Sequence, residues 1–237
     1  MKKILCFGDT HFPFSHIDTI PFLAAVKSKH KITSKDYVIH LGDELDYNAL
    51  NFHAGPDPDL LSASDELRLG IKKIKELYKL FPKVTVIESN HGSLVWRRQR
   101  HHGLPREAIK PYKSLLKAPT GWRWLHEYLI KINKDYYYFH HHKTSISLKL
   151  SQTMGLNAIQ AHTHQKLSVD YWTSPNQGVL FDIHCGCLID FDSIAFRYAR
   201  NNLKKPMLGC CVINGKNVCL EPLIENSKKR WVGKLNA

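Results

Sequence analysis

The sequence has no long hydrophobic run that could serve as a membrane anchor. No stretch approaches the roughly 20 apolar residues of a transmembrane helix. The apolar run near the N-terminus is interrupted by Gly8 and Asp9 before it reaches the length of a signal-peptide core. We therefore expect a cytoplasmic protein without a membrane partner.

Cysteine is also scarce, and its spacing excludes two common roles. The six cysteines have neither the density of a disulfide framework nor the Cys-x-x-Cys spacing of a structural zinc site. We interpret them as reduced thiols buried in the core. For Cys185 and Cys187, which flank a single glycine, packing is favoured over metal ligation, which stays an alternative.

Acidic residues are few relative to basic ones. The chain has 34 Lys and Arg against 21 Asp and Glu, a formal charge of +13 that leaves 15 histidines uncounted. Such a balance favours polyanionic partners, because lysine and arginine release counterions from phosphate backbones. DNA or RNA is therefore a candidate substrate, and a basic surface without a specific partner is the alternative.

No internal repeat or low-complexity linker divides the chain, and 237 residues fit one α/β domain spanning 1–237. Helical periodicity predicts helices over 18–29 and 62–80 and a helical insertion over 93–127. Short apolar runs predict strands at 2–8, 36–41, 83–88, 128–132, 135–140, 157–161, 166–172, 178–184, 208–213 and 217–221.

Short polar segments follow several of the predicted strands. They are Asp9-Thr10-His11, Gly42-Asp43-Glu44-Leu45-Asp46, Ser89-Asn90-His91-Gly92, His140-His141-His142 and Ala161-His162-Thr163-His164. Because imidazole suits borderline metals while carboxylates and amides suit hard ones, this mixed set predicts a pair of transition-metal ions. A bridging carboxylate holds two such ions about 3.5–4 Å apart, where they stabilise the attacking and leaving oxygens of a phosphoryl transfer.

The ordered motifs resemble those of the calcineurin-like metallophosphoesterase family over residues 9–164. The resemblance implies a four-layer α/β/β/α sandwich with its site at the strand ends. It also implies a hydrolase that uses two divalent ions, with manganese favoured and iron, zinc or nickel as alternatives.

By the family's pattern, the ligands form two metal sites that share one bridging carboxylate. The ligands so implied are Asp9, His11 and His164 for one metal, Asn90, His140 and His162 for the other, and Asp43 as the bridge. The family has a single histidine where this chain has three. We choose His140 because it directly follows the predicted strand, with His142 as the alternative.

The resemblance also assigns catalytic roles and exposes departures. His91 resembles the family histidine that contacts the phosphate or protonates the leaving oxygen, and Asp46 resembles the residue that orients it. Ser89 and Gly92 replace a glycine and a carboxylate of the family motif. Ala161 replaces a glycine, a mild change if the backbone there is not left-handed.

Side chains near the motifs are candidates for substrate binding. Arg97 and Arg98 follow His91 within one or two helical turns and could clamp phosphate oxygens, or they could form a solvated helix face. We include His142 as a further contact. Three tryptophans of the insertion are either a stacking platform for bases or core residues, namely Trp96, Trp122 and Trp124.

The leading hypothesis is a phosphodiesterase or nuclease acting on nucleic acid or nucleotides. A phosphomonoesterase, acting on nucleotides or on proteins, is the first alternative. The second is a non-catalytic nucleic-acid-binding protein of the same fold. The presence of every candidate ligand argues against this last reading, because a dead site commonly lacks at least one.

Overall fold

Two β-sheets frame the protein in the computed structural model, which describes residues 2–52, 59–199 and 201–235. The first sheet contains β1 (Ile4–Phe7), β2 (Tyr37–His40), β3 (Val84–Ile87), β4 (Trp122–Leu125), β10 (Gly209–Asn214) and β11 (Asn217–Pro222). The second contains β5 (Tyr128–Ile132), β6 (Asp135–Phe139), β7 (Asn157–Gln160), β8 (Leu167–Ser174) and β9 (Gly178–Cys185). Their orders are β11-β10-β1-β2-β3-β4 and β5-β6-β7-β9-β8.

Helices connect the parallel strands. They are α1 (Thr19–Lys29), α2 (Ala63–Leu80), α3 (Leu94–His101), α4 (Tyr112–Leu115) and α5 (Lys149–Met154). Strands β1 to β4 run parallel, as do β6, β7 and β9, so the loops after them leave from the same edge of each sheet. Within the described ranges, every helix is too short or too polar to cross a bilayer.

The apolar core lies on both sides of the first sheet. Ile39 of that sheet and Phe181 of the second belong to one buried cluster, so the two sheets face each other. On the opposite side, Leu5 packs with Phe22 of α1 and Leu77 of α2. The mixed α/β architecture predicted from the sequence is confirmed.

Five of the six cysteines are buried, and Cys219 is half-buried. Cys185 is buried, and its Sγ lies 3.2 Å from the carbonyl oxygen of Cys6 and 3.7 Å from Sγ of Cys211. Burial raises the pKa of the Cys187 thiol well above its ordinary value. Cys185 and Cys187 therefore pack as neutral thiols, in agreement with the prediction that favoured packing over metal ligation.

The helical insertion ends earlier than the sequence predicts. Residues 122–125, placed in the insertion by their local pattern, form strand β4, which pairs in parallel with β3. Trp122 is completely buried, and its Nε1 donates to the carbonyl oxygen of Phe81 at 2.8 Å. Pairing and burial, which are tertiary effects, therefore override the local helical signal.

Candidate active site

The polar motifs converge where the parallel strands of both sheets end. Asp9 follows β1, and Asp43 follows β2, so the two carboxylates emerge from neighbouring strands. Asn90 and His91 follow β3 on the other side of β2. The second sheet contributes the histidines that follow β6 and β7, namely His141, His142, His162 and His164.

Several of these residues adopt a left-handed backbone, which non-glycine residues avoid. The φ angles are 47° at Asp9, 45° at His11, 52° at Asp43 and 67° at His162. Each such conformation costs about 1–3 kcal/mol and persists only where the surroundings impose it. Backbone hydrogen bonds impose this conformation here. The Asp9 amide donates to the carbonyl oxygen of Gly42, and the His11 amide donates to the backbone carbonyl oxygen of Asp43, both at 2.9 Å.

Gly42 is required by the same geometry, and replacing it should destabilise the protein. Its φ is +103°, and an added Cβ would lie 2.7 Å from Nδ1 of His141 and 2.9 Å from the Ile87 carbonyl oxygen. We expect Gly42→Ala to lower the free energy of unfolding by about 3 kcal/mol, measured by urea denaturation.

A matched control separates this clash from backbone strain alone. Gly178, the first residue of β9, also has a positive φ of +69°, but no atom lies within 4 Å of its added Cβ. Gly178→Ala should therefore cost only about 1 kcal/mol. Equal losses for the two variants would show that the contact with His141 is not what restricts position 42.

One group of candidate ligands consists of Asp9, His11 and His164, whose ligand atoms lie within 4.8 Å of one another. His164 Nε2 is 3.5 Å from Asp9 Oδ2. His11 Nδ1 is held by Asp46 Oδ1 at 2.6 Å, so its other ring nitrogen faces the centre. A carboxylate that fixes the far nitrogen of an imidazole is a common arrangement around metal-binding histidines.

A second group consists of Asp43, His141 and His162. His141 Nδ1 donates to the Leu41 carbonyl oxygen at 2.7 Å. Its Nε2 lies 2.8 Å from Asn90 Oδ1 and 3.3 Å from Asp43 Oδ2. This histidine is therefore oriented by the backbone with its Nε2 toward the predicted ligands.

Within the histidine triplet, the structure brings His141, and not the expected His140, to Asp43, with 3.3 Å between His141 Nε2 and Asp43 Oδ2. Phe139 faces the core between the sheets, and His141 lies on the same side of the chain, two residues further on. His140 faces the opposite side, where its ring lies 5.4 Å from that of His126 and 6.4 Å from that of Tyr138. Tyr137 and Phe139 pack in the core between the sheets while Tyr138 packs in a different cluster, and this alternation places His141 on the side of the first sheet.

His142, the alternative ligand and predicted substrate contact, lies at the centre without touching Asp43. Its ring is 4.2 Å from that of His162, and it lines the cleft above the metal ligands. Its predicted role as a substrate contact stays a prediction that this position suits.

His91 and Asp46 are neighbours, but their contact differs from the predicted one. His91 Nδ1 forms a hydrogen bond with the backbone carbonyl oxygen of Asp46, while the Asp46 carboxylate binds His11 and lies 3.7 Å from His91. The His91 amide donates to Asp43 Oδ1 at 3.2 Å. Asp46 thus orients both histidines, one with its side chain and one with its backbone.

The structure does not bring Arg97 and Arg98 to the cleft. Both guanidinium groups lie over the Phe52 ring, at 5.1 Å and 4.0 Å from its centroid. Arg98 also donates to the carbonyl oxygens of Leu50 and Asn51. α3 directs these arginines away from the candidate metal ligands. They contact the segment after β2 instead.

The departures from the family motif have local explanations. Ser89 Oγ accepts a hydrogen bond from the Asp43 amide at 2.9 Å and from the Gly92 amide at 3.2 Å. The serine therefore supports the position of Asp43. Ala161 is absent from the described residues with positive φ, so the glycine of the family motif is not needed there for backbone reasons.

The donor set fits a metal ion. Among the described residues, several buried atoms at the centre have no hydrogen-bond partner: Asp9 Oδ1, His11 Nε2, Asp43 Oδ2 and His162 Nδ1. Burial lowers the pKa of His11 to about 3 and that of His162 to about 4, so both imidazoles are neutral, the form that binds metals.

The charges of the buried carboxylates also suit a bound cation. Burial raises the pKa of Asp9 to about 8, a shift that a bound cation would oppose. Burial likewise disfavours charge on His141, but Asp43 and Asp9 outweigh it and raise the pKa of that imidazole to about 9. A metal ion would replace this proton as the charge that balances the two carboxylates.

An open cleft of about 380 Å³ lies over the ligands. Asp43, His91 and His164 line its floor, while Asn202 and Lys204 lie on its wall. No local sequence signal pointed to these last two residues, because a distant segment of the chain brings them to the cleft. Lys204 places a positive charge where an anionic substrate would enter.

A mixed α/β fold with histidines and buried carboxylates at the strand ends is typical of metal-dependent hydrolases that act on phosphoesters. A family model, calcineurin-like phosphoesterase, matches residues 2–204, and the chain belongs to this family. It is therefore a metal-dependent phosphoesterase.

Two solved structures align with most of the chain. A structure described as a novel archaeal phosphodiesterase aligns with a TM-score of 0.50 at 14% identity, covering 93% of this chain and 99% of that one. A phosphoesterase from E. coli, Yfce, aligns with a TM-score of 0.45 at 12% identity, covering 97% and 96%. At 14% sequence identity, the likeness to the archaeal structure shows the fold alone. No curated protein matches the sequence.

Proposed function

We propose that this chain is a dinuclear phosphodiesterase that cleaves nucleic acid or nucleotides. One observation carries the dinuclear part of the proposal. Asp43 Oδ2 lies 3.6 Å from His11 Nε2 and 3.3 Å from His141 Nε2, between the two groups of ligands. A carboxylate in this position can bridge two ions.

The proposed ligands follow from the two groups. Asp9, His11 and His164 would hold one ion, Asn90, His141 and His162 would hold the other, and Asp43 would be shared by both. When bound, the two ions supply Lewis acidity and lower the pKa of water at the centre. The set of oxygen and imidazole donors suits manganese, with iron, zinc or nickel as alternatives.

The remaining side chains handle the proton and the substrate charge. His91 is fixed by the Asp46 carbonyl oxygen and borders the cleft, so it is placed to protonate the leaving oxygen. Burial disfavours the charged imidazole, but Asp43 and Asp46 raise the pKa of His91 above its ordinary value, which supports a role as proton donor. Lys204 and His142 would contact the non-reacting phosphate oxygens.

The charge of the protein supports a diester in a polyanion as the substrate. The formal charge is +13, and phosphodiester backbones are the polyanions that basic proteins bind most generally.

Substrate assays with manganese-reconstituted protein test this proposal. We expect hydrolysis of bis-p-nitrophenyl phosphate and of single- or double-stranded DNA, with slower turnover of p-nitrophenyl phosphate. Turnover of the monoester alone would identify a phosphomonoesterase instead. DNA binding without turnover in any metal would leave a binding protein on a catalytic fold.

Metal removal should lower stability, because the ions bind only the folded chain. At a free manganese concentration 100 times the Kd, each site contributes about 2.7 kcal/mol. For a chain of this size that amounts to a rise in Tm of about 5–10 °C for each site filled. Calorimetry of the chelator-treated and manganese-loaded protein measures the shift, and magnesium at equal concentration is the control for a general ionic effect.

A further inference from the structure

A second cavity, of about 630 Å³, has no lining residue in common with the cleft over the metal ligands. Residues from α3, α4, β4 and the loops after β2 and β3 surround it. Its volume lies within the range of roughly 300–1,000 Å³ typical of small-molecule sites. Glu44, Ser89 and Gly92 of the metal-centre motifs line this cavity, but none of the candidate metal ligands does.

Aromatic side chains in fixed orientations line the cavity. Trp124 Nε1 donates to Glu44 Oε1 at 2.9 Å, and the Tyr112 ring contacts the Trp124 ring edge-on at 5.8 Å between centroids. Trp96 of α3 contributes a third, half-buried ring. Indole and phenol rings held in this way offer flat surfaces to a planar ligand at little entropic cost.

Charged groups accompany the rings. Arg106 lies over the Trp96 ring, at 5.9 Å from its centroid, and Arg100 also lines the cavity while remaining exposed to solvent. Glu44 is only 1% exposed, yet its carboxylate lies at the cavity wall, where it can accept a hydrogen bond. Rings interleaved with arginines are the arrangement that proteins use to bind bases together with their phosphates.

We propose that this cavity binds a nucleotide, with its base between the aromatic side chains and its phosphate at Arg100 and Arg106. The Glu44 carboxylate accepts a hydrogen bond from an amino group on the base. The proposal does not depend on the hydrolytic reaction, because the cavity and the metal cleft are lined by different residues.

Calorimetric titration with adenosine 5′-monophosphate tests the proposal. The full-length Asp43→Asn protein is used, with manganese present, so that hydrolysis does not consume the ligand. We expect one molecule bound per chain, with adenosine about tenfold weaker and ribose 5-phosphate not detectably bound. Failure to bind the nucleotide, or equal affinity for nucleotide and nucleoside, would overturn the proposal whatever the activity of the wild-type enzyme.

Variants place the binding in the cavity. Trp96→Ala should weaken nucleotide binding by about tenfold through lost stacking. Arg100→Ala should weaken binding of the nucleotide but not of adenosine, and this exposed position should not affect folding. Arg68→Ala on α2, also exposed, is the matched charge control. Binding that is unchanged in both Trp96→Ala and Arg100→Ala would show that the nucleotide occupies another site.

Discussion

Asp43→Asn should lower kcat/KM for diester hydrolysis by about 1,000-fold, because it removes the negative charge that the two proposed metal ions would share. Two ions stabilise several kcal/mol of charge in the transition state, and about 4 kcal/mol corresponds to three powers of ten in rate. Asparagine has nearly the shape of aspartate, so the fold should be preserved. Steady-state kinetics of the manganese-loaded variant measures the loss.

The control for this prediction is Asp65→Asn, which removes a carboxylate from an exposed position of α2. Its kcat/KM should stay within twofold of the wild-type value. Circular dichroism of both variants checks that the secondary structure is retained. If Asp43→Asn kept more than a tenth of the wild-type rate, Asp43 could not bridge two catalytic ions.

His141→Gln should lower kcat/KM by about 100-fold or more, whereas His140→Gln should change it only a few-fold. The difference follows from the direction of the two side chains. His141 Nε2 lies 3.3 Å from Asp43 Oδ2, but the His140 ring packs beside Tyr138 on the other face of the sheet. Loss of one metal ligand removes part of the charge stabilisation at the reacting phosphate.

The two histidine variants control for each other, since they are neighbours with the same chemical change. Metal content should be measured alongside the kinetics. Loss of bound manganese in His141→Gln only would support the assignment. A larger loss of metal and activity in His140→Gln would indicate that His140 is the ligand. It would contradict the side-chain directions observed after β6.

Much of the fold could be predicted from the sequence, because strands and helices alternate with clear boundaries. Ser62 illustrates this. Its Oγ accepts a hydrogen bond from the Asp65 amide at 3.1 Å, so Ser62 caps α2, which begins where the pattern predicts. Strand β4 could not be predicted in this way, because its pairing with β3 depends on a contact far along the chain.

The candidate site was predictable to the extent that its residues are consecutive in short motifs. Asp9, Asp43 and His162 each follow a strand, so their convergence follows from parallel topology. The orientation within the histidine triplet depends on which face of β6 packs against the first sheet, and the position of Lys204 depends on how a distant segment folds back. Neither is encoded in a local motif.

The most direct test of the dinuclear centre is a crystal structure of the manganese-loaded protein with anomalous diffraction measured at the manganese edge. We predict two anomalous peaks about 3.5–4 Å apart, on either side of the Asp43 carboxylate, with His141 and not His140 among the ligands. A single peak, or none at this carboxylate, would contradict the account of the site.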